Sequence, residues 1–167
     1  FRDLLRFPSL HTLHLEKVEG NPEPLPALKN LRSLCLRGCG IRDLSFLRSS
    51  MMENLVISWT QCDKIDWNSL KDIPSLRTLE LFSIKKIEDI SFISTLSNLE
   101  NLRLVWMGSI TRLPDLSMLE NLREVTIDTC NKLTDISALQ GVKRLGKLTI
   151  VNSKHLESGI FTRDDAQ

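Results

Sequence analysis

Three histidines, four cysteines and a recurrent aspartate are the side chains here whose types suit metal binding, nucleophilic attack or proton transfer. Their spacing argues against all three. His11 and His14 lie close together, but Leu13 between them is expected to point inward, and no carboxylate or third ligand is placed beside them. His155 is six repeats away in the periodicity described below. Cys35, Cys39, Cys62 and Cys130 include no C-x-x-C pair, and no N-x-Ser/Thr sequon occurs. Free thiols in a reducing compartment are therefore expected. Cys35 should project from a strand, with His14 one repeat away as its nearest base, which is not the close pair that activates a thiol. The pairs Asp43/Ser45, Asp89/Ser91 and Asp135/Ser137 recur at one phase. They read as acceptors for exposed N–H groups of turns, because one carboxylate per repeat cannot assemble the six or more oxygens that calcium takes. Seven scattered glycines form no phosphate-cradling loop. The expectation is a protein that is not an enzyme and uses no metal or cofactor.

The elements that must position these residues are set by one repeat. L-x-x-L-x-L, with Ile, Val or Met allowed, occurs at Leu10/Leu13/Leu15, Leu31/Leu34/Leu36, Met52/Leu55/Ile57 and Leu76/Leu79/Leu81. It continues at Leu99/Leu102/Leu104, Leu122/Val125/Ile127 and Leu145/Leu148/Ile150. First positions step by 21, 21, 24, 23, 23 and 23 residues. The x-L-x-L part alternates with period two, as a half-buried strand does. A second apolar group follows with period three, as in Ile87/Ile90/Ile93/Leu96, Ile110/Leu113/Leu116/Leu119 and Leu133/Ile136/Leu139/Val142. That spacing predicts 3₁₀-like or irregular return segments with one face inward. No repeat can bury its apolar residues alone, so stacking must create the core and pair the strands in parallel, about 4.8 Å apart.

The repeats resemble the leucine-rich repeat family over essentially the whole chain. Its L-x-x-L-x-L-x-x-Asn/Cys-x-x-L pattern fits best from Leu122 to Leu133, with Cys130 in the Asn/Cys slot; Cys39 takes the same slot in repeat two. Val18, Thr60, Ile84, Met107 and Ser153 occupy it elsewhere, so that ladder is degenerate. The stretch Leu133-Thr134-Asp135-Ile136-Ser137-Ala138-Leu139 is similar to bacterial internalin-like repeats. Ile110-Thr111-Arg112-Leu113-Pro114-Asp115-Leu116 is similar to the irregular repeats of plant nucleotide-binding immune receptors. The resemblance implies an α/β solenoid, an arc with a concave parallel sheet of about seven strands and convex 3₁₀ or irregular returns. Strands are expected near 12–16, 33–37, 54–58, 78–82, 101–105, 124–128 and 147–151, in a repeat domain over 1–161 with a polar tail over 162–167. It also implies a protein-interaction scaffold, or alternatively the ligand-sensing or autoinhibitory region of a larger innate immune receptor or toxin-related protein.

Alternation assigns an outward side to each strand. Counting from the first residue of each triplet, places three, five and seven face out and place eight lies at the strand exit. Trp59, Phe82 and Trp106 then fall at the seventh or eighth place of three consecutive repeats, the two tryptophans roughly 10 Å apart with Phe82 between. Val56 and Val105 extend the apolar ground, and Glu80 and Arg103 border it. Exposed aromatics beside Arg are the composition of an interface hot spot. These seven residues are the candidate partner-binding set; the competing reading is that the tryptophans cover the edge of the core. Trp67, in a return segment, is expected to pack. The asparagines Asn30, Asn98 and Asn121 read as turn residues entering strands.

With 22 basic and 21 acidic residues the chain has no whole-molecule field to attract nucleic acid or anionic membrane. No apolar run is long enough to span a bilayer. The expected partner is a protein, or another domain of a longer chain, and the expected location is the cytoplasm. Repeat three is stretched between Ile57 and Ile65, which predicts a bulged loop. Residues 1–8 read as the tail of an earlier return segment, which leads to the expectation of further repeats or another domain before Phe1. Residues past Leu156, with the apolar pair Ile160 and Phe161, are expected to end in a frayed tail.

Overall fold

The computed structural model describes residues 1–20, 22–60, 62–156 and 159–162, without the side chains of 62 and 159–162. Seven parallel strands follow one another in a single sheet: β1 (Thr12–Glu16), β2 (Ser33–Arg37), β3 (Asn54–Ser58), β4 (Thr78–Phe82), β5 (Asn101–Val105), β6 (Glu124–Asp128) and β7 (Lys147–Val151). All seven expected strands are present at the expected positions. The register is without slip, so the inward pairs stack as columns, Leu13–Leu34–Leu55–Leu79–Leu102–Val125–Leu148 and Leu15–Leu36–Ile57–Leu81–Leu104–Ile127–Ile150. A one-residue slip would turn every inward side chain to solvent, so the apolar alternation itself fixes the pairing. These columns and the period-three groups of the returns form one continuous core.

An eighth strand, β8 (Gly159–Thr162), pairs antiparallel with β7, Leu148 opposite Phe161. Thr162, the first residue of the expected polar tail, is the last residue of this strand. Two closely spaced apolar residues carry too short a pattern to announce a strand whose partner lies across a reversal of the chain. Positions 163–167 of the expected tail lie outside the described residues.

Helical segments among the described residues are all 3₁₀, including Leu25–Ala27, Ser45–Ser49, Trp67–Leu70, Ser91–Thr95 and Ser137–Gly141. Three begin after an apolar residue in the sparsely populated bridge region: Leu44 (φ −111°, ψ 11°), Ile90 (φ −120°, ψ 25°) and Ile136 (φ −117°, ψ 15°). In repeat five the equivalent residue, Leu113, precedes Pro114, and the ring of a proline pushes its predecessor to extended backbone. No 3₁₀ segment forms there. Arg112 instead bridges to Asp135 in the next repeat, and the turn is delayed to Asp115–Ser117.

The aspartates act as the sequence predicts. Asp43, Asp89 and Asp135 accept from the N–H of Ser45, Ser91 and Ser137 at 2.8–2.9 Å. Asp66 and Asp115 do the same for Asn68 (3.1 Å) and Ser117 (2.9 Å). Asp66 comes one position later in repeat three than its counterparts in repeats four and six. The extra residue of that repeat therefore lies in the strand-exit loop, where an additional 3₁₀ turn, Cys62–Lys64, is found. The serine backbone N–H, with the serine hydroxyl second, holds the Asp43, Asp89 and Asp115 carboxyls below the usual value of 3.8; at Asp135 the hydroxyl leads. A carboxyl depressed in the folded state stabilises it above the unfolded value, and that contribution is lost as pH falls through the folded value. Stability should therefore decline below about pH 4. Asn at these four positions keeps the acceptor but does not titrate, so the quadruple Asp→Asn variant should show a flatter acid limb in urea midpoints measured from pH 5 downward. Equal acid limbs would contradict this role.

The asparagines do more than turn the chain. Asn30 and Asn98 donate to the carbonyls of Pro8 (3.0 Å) and Pro74 (2.8 Å), and Asn121 to that of Ser97 (3.3 Å), each one repeat back. The thiols of Cys39 and Cys130 likewise donate to the strand carbonyls of Leu15 (3.3 Å) and Leu104 (3.4 Å). Both side chains are buried. The degenerate Asn/Cys slot is thus still a repeat-to-repeat staple where it holds Cys. Trp67 packs as expected, half-buried and stacked on Phe92 at 5.5 Å.

Candidate interaction surface

Each of the seven parallel strands leaves the sheet through the same backbone device. The eighth-place residue has positive φ in every repeat: Lys17 52°, Gly38 59°, Trp59 56°, Ser83 54°, Trp106 54°, Thr129 53° and Asn152 52°. At six of these places its N–H donates to the seventh-place carbonyl of the following repeat: Lys17 to Arg37, Gly38 to Ser58, Trp59 to Phe82, Ser83 to Val105, Trp106 to Asp128 and Thr129 to Val151, at 2.8–3.0 Å. The ladder so runs one residue past the strand, and the left-handed corner then turns the ninth place inward. That place is buried in every repeat but the first. Glycine and asparagine tolerate the left-handed region, and both occur at this place, Gly38 and Asn152; that was the signal available in the sequence.

Tryptophan does not tolerate it well. A side chain with Cβ costs roughly 1–2 kcal/mol there. Trp59 and Trp106 are nevertheless both at the corner and about half exposed, at 47% and 49%. Their rings lean toward each other over Phe82. Trp59 and Trp106 lie 6.1 Å apart, near edge-to-face at 70°. Phe82 lies 5.5 Å from each, tilted 57° to Trp59 and stacked at 25° on Trp106. The strand spacing alone suggested roughly 10 Å between the tryptophans; the ring arrangement closes that gap. Beyond the area they bury, three such ring pairs contribute about 0.5–1.5 kcal/mol each, comparable to the cost of the two corners.

The structure brings six of the seven candidates to one exposed or half-exposed area: Trp59, Phe82, Trp106, Glu80, Arg103 and Val56. Arg103 Nη1 lies 3.0 Å from Glu80 Oε2 across β4 and β5. Val56 is half-buried on the same face. Val105 is not exposed as the alternation suggested. It is 6% accessible, because its register partners on the same face are Phe82 and Asp128 and the space around it is filled. Ser58, also a seventh-place residue, is buried at 7% between Arg37 and Phe82. Arg37 belongs to the cluster although the candidate set omitted it. Its guanidinium carbon lies 5.8 Å from the Trp59 ring centroid, a cation–π contact. Its seventh place on the neighbouring strand was the available clue.

Among the described residues no group of three His, Cys, Asp or Glu side chains is arranged to hold a metal ion. Cys35 is half-buried on the outward face, and burial pushes its thiol up, away from the reactive thiolate. Burial does the same to Cys130. No helix is long and apolar enough to cross a membrane among the described residues.

Comparison with family models and with curated proteins gives no significant match. Among solved structures, an internalin, InlF, from Listeria monocytogenes is similar with a TM-score of 0.59 at 20% identity, over 90% of this chain and 50% of that one. The leucine-rich repeat domain of the type III effector XopL is similar with a TM-score of 0.44 at 22% identity, over 92% of this chain and 48% of that one. The chain thus spans about half the length of each. Seven in-phase repeats, one parallel strand from each, and the likeness to the internalin make this chain a leucine-rich repeat solenoid.

Proposed function

We propose that the chain is a non-catalytic scaffold that binds a protein partner through the outward face of its sheet, centred on repeats three to five. One observation carries the reading: two half-exposed tryptophans are held at left-handed corners and packed on Phe82. Such rigid, amphipathic rings bring large contact area at low entropic cost, and Arg37 and the Glu80–Arg103 pair give the patch a polar rim. The free thiols of Cys35, Cys39 and Cys130 suit work in a reducing compartment, the cytoplasm.

The test is affinity purification from the source material with two baits, wild type and the double variant Trp59→Gly/Trp106→Gly. Glycine suits the backbone at both corners, as Gly38 shows, so the variant should retain the fold by circular dichroism and thermal melting. A protein held by the wild type and absent from the variant is the expected result. Equal recovery on both baits contradicts the placement. Whether that protein is separate or another segment of a longer chain is read directly from its identity.

A further inference from the structure

The proposed face also carries information about the chemistry of what it binds. Its third, fifth, seventh and eighth strand places hold four cationic residues, Lys17, Arg37, Arg103 and Lys147, and four anionic ones, Glu16, Glu80, Glu124 and Asp128. They do not segregate into a positive and a negative zone. Glu16 faces Arg37 at 3.9 Å, Glu80 faces Arg103 at 3.0 Å and Glu124 faces Lys147 at 3.4 Å, each pair bridging adjacent strands. The Asp128 carboxylate accepts from the Thr129 hydroxyl at 2.8 Å. Between these pairs the face is neutral: Asn54, Val56, Thr78, Asn101, Thr126 and Thr149.

We infer that the partner docks through an uncharged protein segment bearing bulky apolar side chains, seated on the Trp59–Phe82–Trp106 rings, with no charge match to the solenoid. This rests on the proposed function and names the partner's chemistry. Six of the eight charges pair across strands and the other two, Lys17 and Asp128, cancel in sum, so an acidic or basic segment would find no net field to complement and would compete with existing pairs. An apolar segment gains from the rings and leaves the pairs intact. Nucleic acid is disfavoured by the same argument, since its backbone needs a stripe of cations without matching anions.

Selection from a displayed random peptide library, with the whole chain as bait, tests this without knowledge of the natural partner. Enriched peptides should carry large apolar residues and no excess of either charge. Their Kd should change less than about twofold between about 50 and 500 mM NaCl, and should weaken at least about tenfold on the Trp59→Gly/Trp106→Gly variant. Trp-dependent binders that are acidic or basic, losing tenfold or so in high salt, would overturn the inference and leave the binding face standing. A selection that yields no Trp-dependent binder would overturn both.

Discussion

Leu102→Ala is expected to lower the stability of the chain by about 2–5 kcal/mol, measured as the shift in free energy of urea unfolding. Leu102 is the fourth-place residue of β5, fully buried, with Leu79 and Val125 as its register partners. Removing its side chain opens a cavity between repeats four and six, which the flanking strands cannot close without breaking their hydrogen-bond register. The same substitution at Leu148 should cost less, because that side chain is only half-buried in the last parallel strand. If the two variants lose equal stability, the core is not a stack whose interior layers are better sealed than its end.

Trp106→Ala is expected to weaken the partner complex by about 2 kcal/mol or more, close to a thirtyfold rise in Kd by calorimetry. The loss should exceed that of Arg103→Ala, since Arg103 lies at the polar rim and its pairing with Glu80 is already made within the free chain. In the unbound chain Trp106→Ala should cost less in urea unfolding than Leu102→Ala. The lost ring contacts with Phe82 and Trp59 weaken folding, and alanine keeps the left-handed strain, but neither effect approaches that of a core cavity. A large stability loss with unchanged affinity would instead make the rings a cover for the edge of the core.

The strands were legible residue by residue because two signals agree there: period-two alternation and a constant repeat phase. The turn aspartates were legible because a short acceptor before Ser implies a specific backbone bond. What escaped the sequence depends on distances across repeats. Val105 sits at an outward place, yet its neighbours on β4 and β6, Phe82 and Asp128, remove it from solvent. The tryptophans close to 6.1 Å because side chains lean along the strand-exit edge, which a count of strand spacings cannot show. Pro114 was visible, but its effect needed the bridge-region backbone of Leu44, Ile90 and Ile136 for comparison. β8 reverses direction and so falls outside the parallel repeat.

Hydroxyl-radical footprinting of the purified complex reads out whether the aromatic cluster on repeats three to five is the contact surface. Trp59 and Trp106 are half exposed in the free chain, and Met118, in a return segment, is 74% exposed and serves as the internal control. Binding is expected to suppress oxidation of both tryptophans and to leave Met118 unchanged. Undiminished oxidation of Trp59 and Trp106 in the saturated complex, with protection appearing elsewhere, would contradict it.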